Sequence, residues 1–319
     1  MAQRTITVLG GTGFIGRHLT ERLTAANWLV RIPTRHPEHH RDLLVGRRVE
    51  LLQGNINDPD FLAASLAGAD AAVNLVGILN ERGHDGSGFR AAHVELPRKV
   101  VGACQAAGVP RLLHMSALNA DAEKGPSHYL RTKGEGEALV HGVTGLAVTS
   151  FRPSVVFGPG DSFFNRFADL LRVMPVAFPL ACPHARFAPV YVGDVAAAMV
   201  SALDTHATIG ERYELCGPRS YHFIDLVQYT ARIIGVKRRI IPLNDALSRL
   251  QAAVMEYAPG KPFSRDNYAS CQLHSTCSGP FPEVFGITPR SVESVVPGYL
   301  GWESRRGPYG RYRRAAKRA

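Results

Sequence analysis

An α/β chain with a doubly wound parallel sheet is the fold class the sequence predicts, on three observations. Apolar Ile6 to Leu9 runs directly into glycines at positions 10, 13 and 16. From Phe14 to Leu23 the apolar residues Ile15, Leu19 and Leu23 recur on one helical face. Beyond that turn, short apolar runs alternate with helical patterns to about residue 150, as strands and crossover helices do.

The glycine turn comes first. Without Cβ atoms at Gly10, Gly13 and Gly16, the backbone can turn sharply, approach a pyrophosphate and pack helix on strand. Thr12, Phe14 and Ile15 complete this nucleotide-facing turn, which aims a helix N-terminus at an anion. The competing reading is an ordinary strand-to-helix turn.

Trp28 to Ile32 reads as the second strand, ending in Pro33-Thr34-Arg35-His36. A carboxylate about 20 residues past the glycines would bind ribose hydroxyls and select NAD(H). Thr34 and Arg35 stand there instead, and a guanidinium attracts a 2′-phosphate, so NADP(H) is expected to be preferred over NAD(H). A solvated loop arginine is the alternative.

Val49 to Leu52 is the third strand, followed by Asn55 and Ile56, where the Asn55 amide can meet an adenine edge. Asp58-Pro59 reads as the N-cap and first turn of the next helix. Ala69 to Val76 forms the fourth strand, and the small residues at Val76-Gly77 let the chain pass beside a cofactor. A polar loop from Ile78 leads into a single long helix from Phe89 to Ala107, with a kink at Pro97. Arg111 to Met115 is the fifth strand, ending at Ser116.

Ser116, Tyr129 and Lys133 are the candidate catalytic residues. Tyr129 and Lys133 lie one turn apart on a helix capped by Ser127, so an ammonium would favour the phenolate and bring it into an acid/base range. Ser116, at a strand's carboxyl end, could hold a carbonyl or alcohol for proton exchange with Tyr129, while nicotinamide gives or takes the hydride.

These residues, with Asn74-Leu75-Val76-Gly77 and the run Arg152-Pro153-Ser154-Val155-Val156-Phe157-Gly158-Pro159-Gly160-Asp161, resemble the extended and atypical short-chain dehydrogenase/reductase superfamily over most of residues 1 to 300. Tyr129 to Glu137 and Tyr191-Val192-Gly193-Asp194-Val195 look most like the NAD(P)H-binding accessory subunit of respiratory complex I and its bacterial relatives. The resemblance implies a Rossmann sheet, cofactor contacts extending to Lys133 and Pro153, and NADPH bound either for turnover or as a structural ligand. The sequence departs from the pattern at His93, where many extended members have asparagine, and at Asn55, a frequent aspartate. The interval from Ser116 to Tyr129 is also shorter than in many sugar-nucleotide epimerases.

Residues 1–150 are expected to form the NADP(H)-binding Rossmann domain, its sheet completed by about 187–216. A smaller substrate or partner lobe would take 151–186 and 217–304. Within it Pro175 to Leu180 reads as an apolar loop at the substrate cleft, inviting an apolar substrate or partner surface. Asp194 reads as the cap of a helix over Ala196 to Leu203, Tyr213 to Cys216 as a strand, and Leu247, Leu250 and Val254 as the stripe of an amphipathic helix. Tyr257 to Leu300, rich in Pro and Gly, yields no order.

The 319 residues, 45% apolar and 20% charged, have an ordinary globular composition. Net charge is +10, but seven cations and no acid lie from Arg305 onward, leaving +3 elsewhere. Residues 305–319 therefore read as a basic flexible tail that could touch a membrane-associated complex or anionic surface, with a solubility tail as the alternative and no specific nucleic acid expected. Five scattered cysteines suggest reduced thiols rather than a disulfide framework, and Cys271-x2-His274-x2-Cys277 lacks a fourth ligand, so no metal is expected. No apolar run approaches a membrane span and no signal peptide is evident. The expected place is the cytoplasm, with peripheral attachment at the inner membrane face open. Two functions stay open: an oxidoreductase or epimerase on a small organic carbonyl or alcohol, and a non-catalytic NADP(H)-binding accessory subunit.

Overall fold

A computed structural model describes residues 3–46 and 48–305. The apolar runs become strands β1 (Thr5–Leu9), β2 (Leu29–Thr34), β3 (Val49–Gln53), β4 (Ala71–Asn74), β5 (Arg111–Met115) and β6 (Ala147–Pro153). A later strand, β11 (Arg212–Leu215), completes a seven-stranded parallel sheet in the order β11-β6-β5-β4-β1-β2-β3. The reversal of strand order at β1 makes the sheet doubly wound and Rossmann-like, as the sequence predicts. The crossover helices are α1 (Phe14–Ala25), α2 (Pro59–Leu66), α3 (Ser87–Arg90), α4 (Leu96–Ala106), α5 (His128–His141) and α7 (Val192–Asp204).

Local chemistry fixes several helix starts. The Asp58 carboxylate accepts from Asp60 N at 3.0 Å with Pro59 in the first turn, and Ser127 Oγ accepts from Leu130 N at 3.1 Å. Asp194 lies inside the first turn of α7 rather than ahead of it, where a carboxylate still complements the helix dipole. The helix expected from Phe89 to Ala107 is divided. A π-helical turn over Ala91–Glu95 lies between α3 and α4 and places Pro97 as the second residue of α4, just past the point where the regular i−4 ladder is interrupted.

Contacts divide the chain into two units: residues 1–153, 192–215 and 277–288, and residues 154–191, 216–276 and 289–319. In the first, a core of Leu9, Leu62, Leu66, Val100, Leu112 and Val148 fills the space between sheet and helices. Buried Arg111 reaches three elements of this unit, donating to Ala147 O, Thr149 Oγ1, Thr208 Oγ1 and Ala202 O at 2.7–3.0 Å.

The second unit holds three two-stranded ladders: β7 (Val156–Phe157) with β10 (Val190–Tyr191), β8 (Ala177–Leu180) with β13 (Arg239–Pro242), and β9 (Arg186–Phe187) with β12 (Tyr221–His222). Its helices are α6 (Phe164–Val173), α8 (Phe223–Ile233), α9 (Asp245–Met255), α10 (Arg265–Ser270) and α11 (Val292–Arg305). The stretch expected as an apolar cleft loop is thus partly strand β8, and Phe178 and Leu180 belong to the core with Phe164, Leu171 and Phe223. The Pro/Gly-rich region beyond Tyr257 is ordered into α10 and α11, because Val292, Val296 and Leu300 pack into the same core. Asp161, from the Gly158-Pro159-Gly160-Asp161 run, accepts from Gly158 N, Phe163 N and Asn165 N at 3.0–3.1 Å and from Tyr299 Oη of α11 at 2.6 Å.

Cys216 and Cys277 are disulfide-bonded, against the expectation of thiols throughout, while Cys104, Cys182 and Cys271 are free. Among the described residues, no helix is long and apolar enough to cross a membrane and no group of three metal-ligating side chains occurs. The tail expected over residues 305–319 lies outside the described residues from 306 onward.

Candidate functional site

The sequence-selected residues of the first unit gather along one edge of the sheet, at the carboxyl ends of six strands. Gly10 to Gly16 follow β1, Thr34 and Arg35 end β2, Asn55 and Ile56 follow β3, Val76 and Gly77 follow β4, Ser116 follows β5 and Pro153 ends β6. In an open parallel sheet this edge, beside the reversal of strand order, is where ligands settle.

At the first turn Gly10 has φ +80°, and a Cβ on Gly16 would sit 2.5 Å from the backbone of Gly10 and Gly11, so helix and turn can touch only without one. Gly13 is the N-cap of α1 and provides no side-chain cap, which leaves the first-turn N–H groups to an outside acceptor. Thr12 O accepts from Arg17 Nε at 3.1 Å, and the Phe14 ring stands edge-on to His18. Arg17 itself is engaged by Asp42 and, at 3.1 Å, by His40. Arg35 is exposed and forms no ion pair among the described residues. Thr34 Oγ1 accepts from His36 N at 3.4 Å.

Asn55 Oδ1 accepts from Asn57 N at 3.0 Å, an arrangement that leaves its amide N–H groups as the donors on offer, and Ile56 packs on the core. Val76 N donates to Asn74 Oδ1 at 3.1 Å. A Cβ on Gly77 would meet Lys133 Nζ at 3.1 Å, so glycine here leaves the ammonium uncrowded. Pro153 O accepts from Leu118 N at 3.1 Å. The edge therefore fits a nicotinamide dinucleotide: an uncapped helix N-terminus at one strand end, and glycine beside a lysine at another.

Lys133 is buried and donates from Nζ to Met115 O at 2.9 Å. Burial lowers its pKa to about 8, with Glu137 opposing that shift. Tyr129, one turn before it on α5, has its ring edge-on to His93 at 5.4 Å and to Phe89 at 6.1 Å. His93 lies in the π-helical turn, where Nε2 accepts from Ile78 N at 3.1 Å and Nδ1 faces Thr132 Oγ1 at 3.0 Å. Thr132 donates its hydroxyl to His128 O at 2.7 Å, so His93 is the neutral Nδ1–H tautomer. Burial first, then the Lys133 charge, hold its pKa down at about 2.

Beneath α5 lies a polar seam that the sequence reasoning missed. Asn74, His114, Ser150 and Arg212 pair across four adjacent strands, and Lys133, Glu137 and His141 project at intervals of four from the helix. Glu137 is 2% exposed yet ionised. Burial raises its pKa, but the Arg152 pair, with Ser116 and Arg212 adding to it, outweighs that and leaves it below the ordinary carboxylate range. Ser116 Oγ is enclosed without a hydrogen bond of good geometry, though near enough to Glu137 to favour its charged form. His141 Nε2 meets Ser150 Oγ at 2.9 Å, and Asn74 Nδ2 lies 3.4 Å from His114 Nδ1, leaving His114 Nε2 buried without a partner. The sequence signal was polar residues interrupting two otherwise apolar strands at positions that the register places side by side.

Comparison with known proteins gives this geometry a family. Residues 6–216 match the NAD dependent epimerase/dehydratase family. The chain is 33% identical over 239 residues to NADH dehydrogenase (ubiquinone) 1 alpha subcomplex subunit 9, mitochondrial, of Mus musculus, an overlap of 73% of this chain and 61% of that one. It thus spans about three fifths of that relative's length. It is also 30% identical over 249 residues to the ceramide reductase of Caulobacter vibrioides, covering 76% of this chain and 75% of that protein. The solved structure of MoeE5 in complex with UDP-glucuronic acid and NAD superposes with a TM-score of 0.73 over 95% of this chain and 99% of that one, a likeness of fold at 19% identity. The chain belongs to the NAD dependent epimerase/dehydratase family, within the extended short-chain dehydrogenase/reductases.

Proposed function

We propose that this chain binds NADP(H) and uses it to reduce or oxidise a small organic carbonyl or alcohol, with Tyr129 as the proton donor or acceptor. The observation that carries the reading is Lys133: an ammonium buried beside Gly77 and donating to Met115 O. Burying a cation at a sheet edge is costly, and a structural role would be served by a neutral residue. Its charge lies one helical turn from Tyr129 and stabilises the phenolate as the proton leaves or returns. His93, neutral and held at both nitrogens, fixes the ring of Tyr129 and takes no proton itself. Ser116, expected from the sequence to hold the substrate oxygen, has its hydroxyl enclosed beside Glu137 and supports that carboxylate instead. Nicotinamide, when bound, supplies or accepts the hydride. Arg35, exposed and without an ion pair among the described residues, supports 2′-phosphate recognition, and Asn55 offers amide N–H groups to the adenine.

A second reading, NADP(H) kept as a structural ligand in a membrane-associated assembly, is favoured by the mouse relative's name as a subunit and by one surface. Leu247, Leu250, Val254 and Tyr257 of α9 and its end are 48–71% exposed at helical spacing. In that reading the chain attaches peripherally to the membrane.

Purified protein assayed with NADPH and a panel of aldehydes and ketones, medium- and long-chain ones included, separates the two. Turnover that falls at least about a hundredfold in Tyr129→Phe with nucleotide affinity retained supports catalysis. Tightly held, non-exchanging nucleotide with no turnover overturns it in favour of the structural role.

A further inference from the structure

The second unit carries a pair of thiols that the nucleotide site does not use. Cys182 lies in the loop between β8 and β9, and Cys271 immediately follows α10. Both thiols are free, and their side chains lie close enough for each to shift the other's titration. Both are half-buried and line one pocket of about 590 Å³, together with His184, Asn244, Asp245 and His274. That volume falls in the range of small-molecule sites.

The backbone holds the pair in place. Cys182 has φ +50°, a left-handed conformation unfavourable for a residue with a Cβ. It is kept there by its N–H donating to Ser248 Oγ at 3.2 Å and its carbonyl accepting from Ala185 N at 3.0 Å. Cys271 is fixed from the other side, its N–H donating to Asn267 O at 3.0 Å. Cys104 provides the contrast within the same chain: wholly buried in the first unit's core, its thiol is pushed up to about 12 by burial.

We propose that Cys182 and Cys271 form a reversible dithiol/disulfide site that opens onto this pocket and reacts with low-molecular-weight disulfides. The contact between the two side chains divides the labour. The Cys271 thiol lowers the pKa of Cys182, despite opposing burial, and makes that sulfur the nucleophile. Cys182 in turn raises Cys271, with burial adding to the shift, so Cys271 is the resolving partner. The Cys182 thiolate attacks one sulfur of a small disulfide, forming a mixed disulfide and releasing one thiolate. Cys271 then gives up its proton and attacks Cys182 Sγ, releasing the second thiolate. Two protein thiols are oxidised, one small disulfide is reduced to two thiols, and the two protein protons end on them. The product ties the β8–β9 loop to the end of α10 at the pocket wall.

The test uses the full chain equilibrated with glutathione buffers from fully reduced to fully oxidised, acid-quenched and mapped by non-reducing peptide mass spectrometry. The expected result is a Cys182–Cys271 crosslink that rises with oxidised glutathione and is reversed by reduced glutathione, with Cys104 unmodified. Cys271→Ser should trap one glutathione on Cys182, whereas Cys182→Ser should leave Cys271 modified at least about tenfold more slowly. Absence of the crosslink in the unmodified chain across the whole series overturns the proposal, whatever the variants do. Equal reactivity of the two cysteines overturns the assignment of nucleophile.

Discussion

Lys133 shows how much of this protein's chemistry is decided by what surrounds a single atom. The same ammonium on a solvated helix face would titrate near 10.5, but enclosed against Met115 O and Gly77 it does so at about 8. It therefore remains cationic at neutral pH and becomes neutral within reach of ordinary assay conditions. Arg35 is the complementary case at the other end of the dinucleotide, an exposed cation whose value depends on its ligand. Arg35→Glu is expected to weaken NADPH binding at least about tenfold while changing NADH binding little, in a fluorescence titration of the purified protein. Equal losses for both nucleotides would remove the 2′-phosphate from its role. Ser116, enclosed above Glu137, invites a different comparison. Ser116→Ala should lower the unfolding midpoint and leave kcat/KM within about threefold, whereas a fall of about tenfold or more at unchanged stability would put its hydroxyl on the substrate.

At the scale of elements, Asp161 is the junction of the second unit, accepting three backbone N–H groups at the start of α6 and the hydroxyl of Tyr299 from α11. Desolvation together with the Asp161 carboxylate drives the Tyr299 phenol far upward, so that pair is a hydrogen bond and not two charges. Asp161→Ala should cost about 2–4 kcal/mol, read as a lower urea midpoint, because it leaves several buried donors without an acceptor. A midpoint unchanged from the parent protein would mean that α6 and α11 hold without it. Gly136 plays a related part by absence: a Cβ there would run into the carbonyl oxygen of His93, so the close approach of α5 to the π-helical turn depends on glycine.

These elements also mark what could be read ahead of the structure. Strand-turn-helix from Ile6 to Leu23, the Asp58-Pro59 start and the Ser127 cap were legible because their causes lie within a few residues of one another. The π-helical turn was not, since one inserted residue barely disturbs a 3.6-residue repeat. Nor was the order beyond Tyr257, which comes from Val292, Val296 and Leu300 meeting side chains distant in sequence. The residue types of the nucleotide edge could be listed from the sequence. The burial of Lys133 and the ion pairs of Glu137 depend on strand register and could not.

Across the molecule as a whole, buried histidines set the response to acid. His93, His114 and His141 are held at about 2, 3 and 4, with burial the first cause for each. Their folded values lie below the ordinary 6.5, so the unfolded chain takes up protons first as pH falls. Stability is then full above about 6.5 and declines progressively below it. The loss should be read by urea unfolding between pH 6.5 and 4 as a midpoint that falls steadily with pH, with His114→Gln flattening the slope. A midpoint independent of pH between 6.5 and 4 would show that these rings reach water in the native state.

The seam beneath α5 has a further consequence. From about pH 5 to about pH 7 its two histidines, His114 and His141, stay neutral and Lys133 stays cationic beside the Glu137–Arg152 pair. The floor of the nucleotide edge thus presents a constant electrostatic potential over that interval, so proton uptake or release on binding there must come from the ligand or from groups outside the seam, and only above it does Lys133 itself enter the balance.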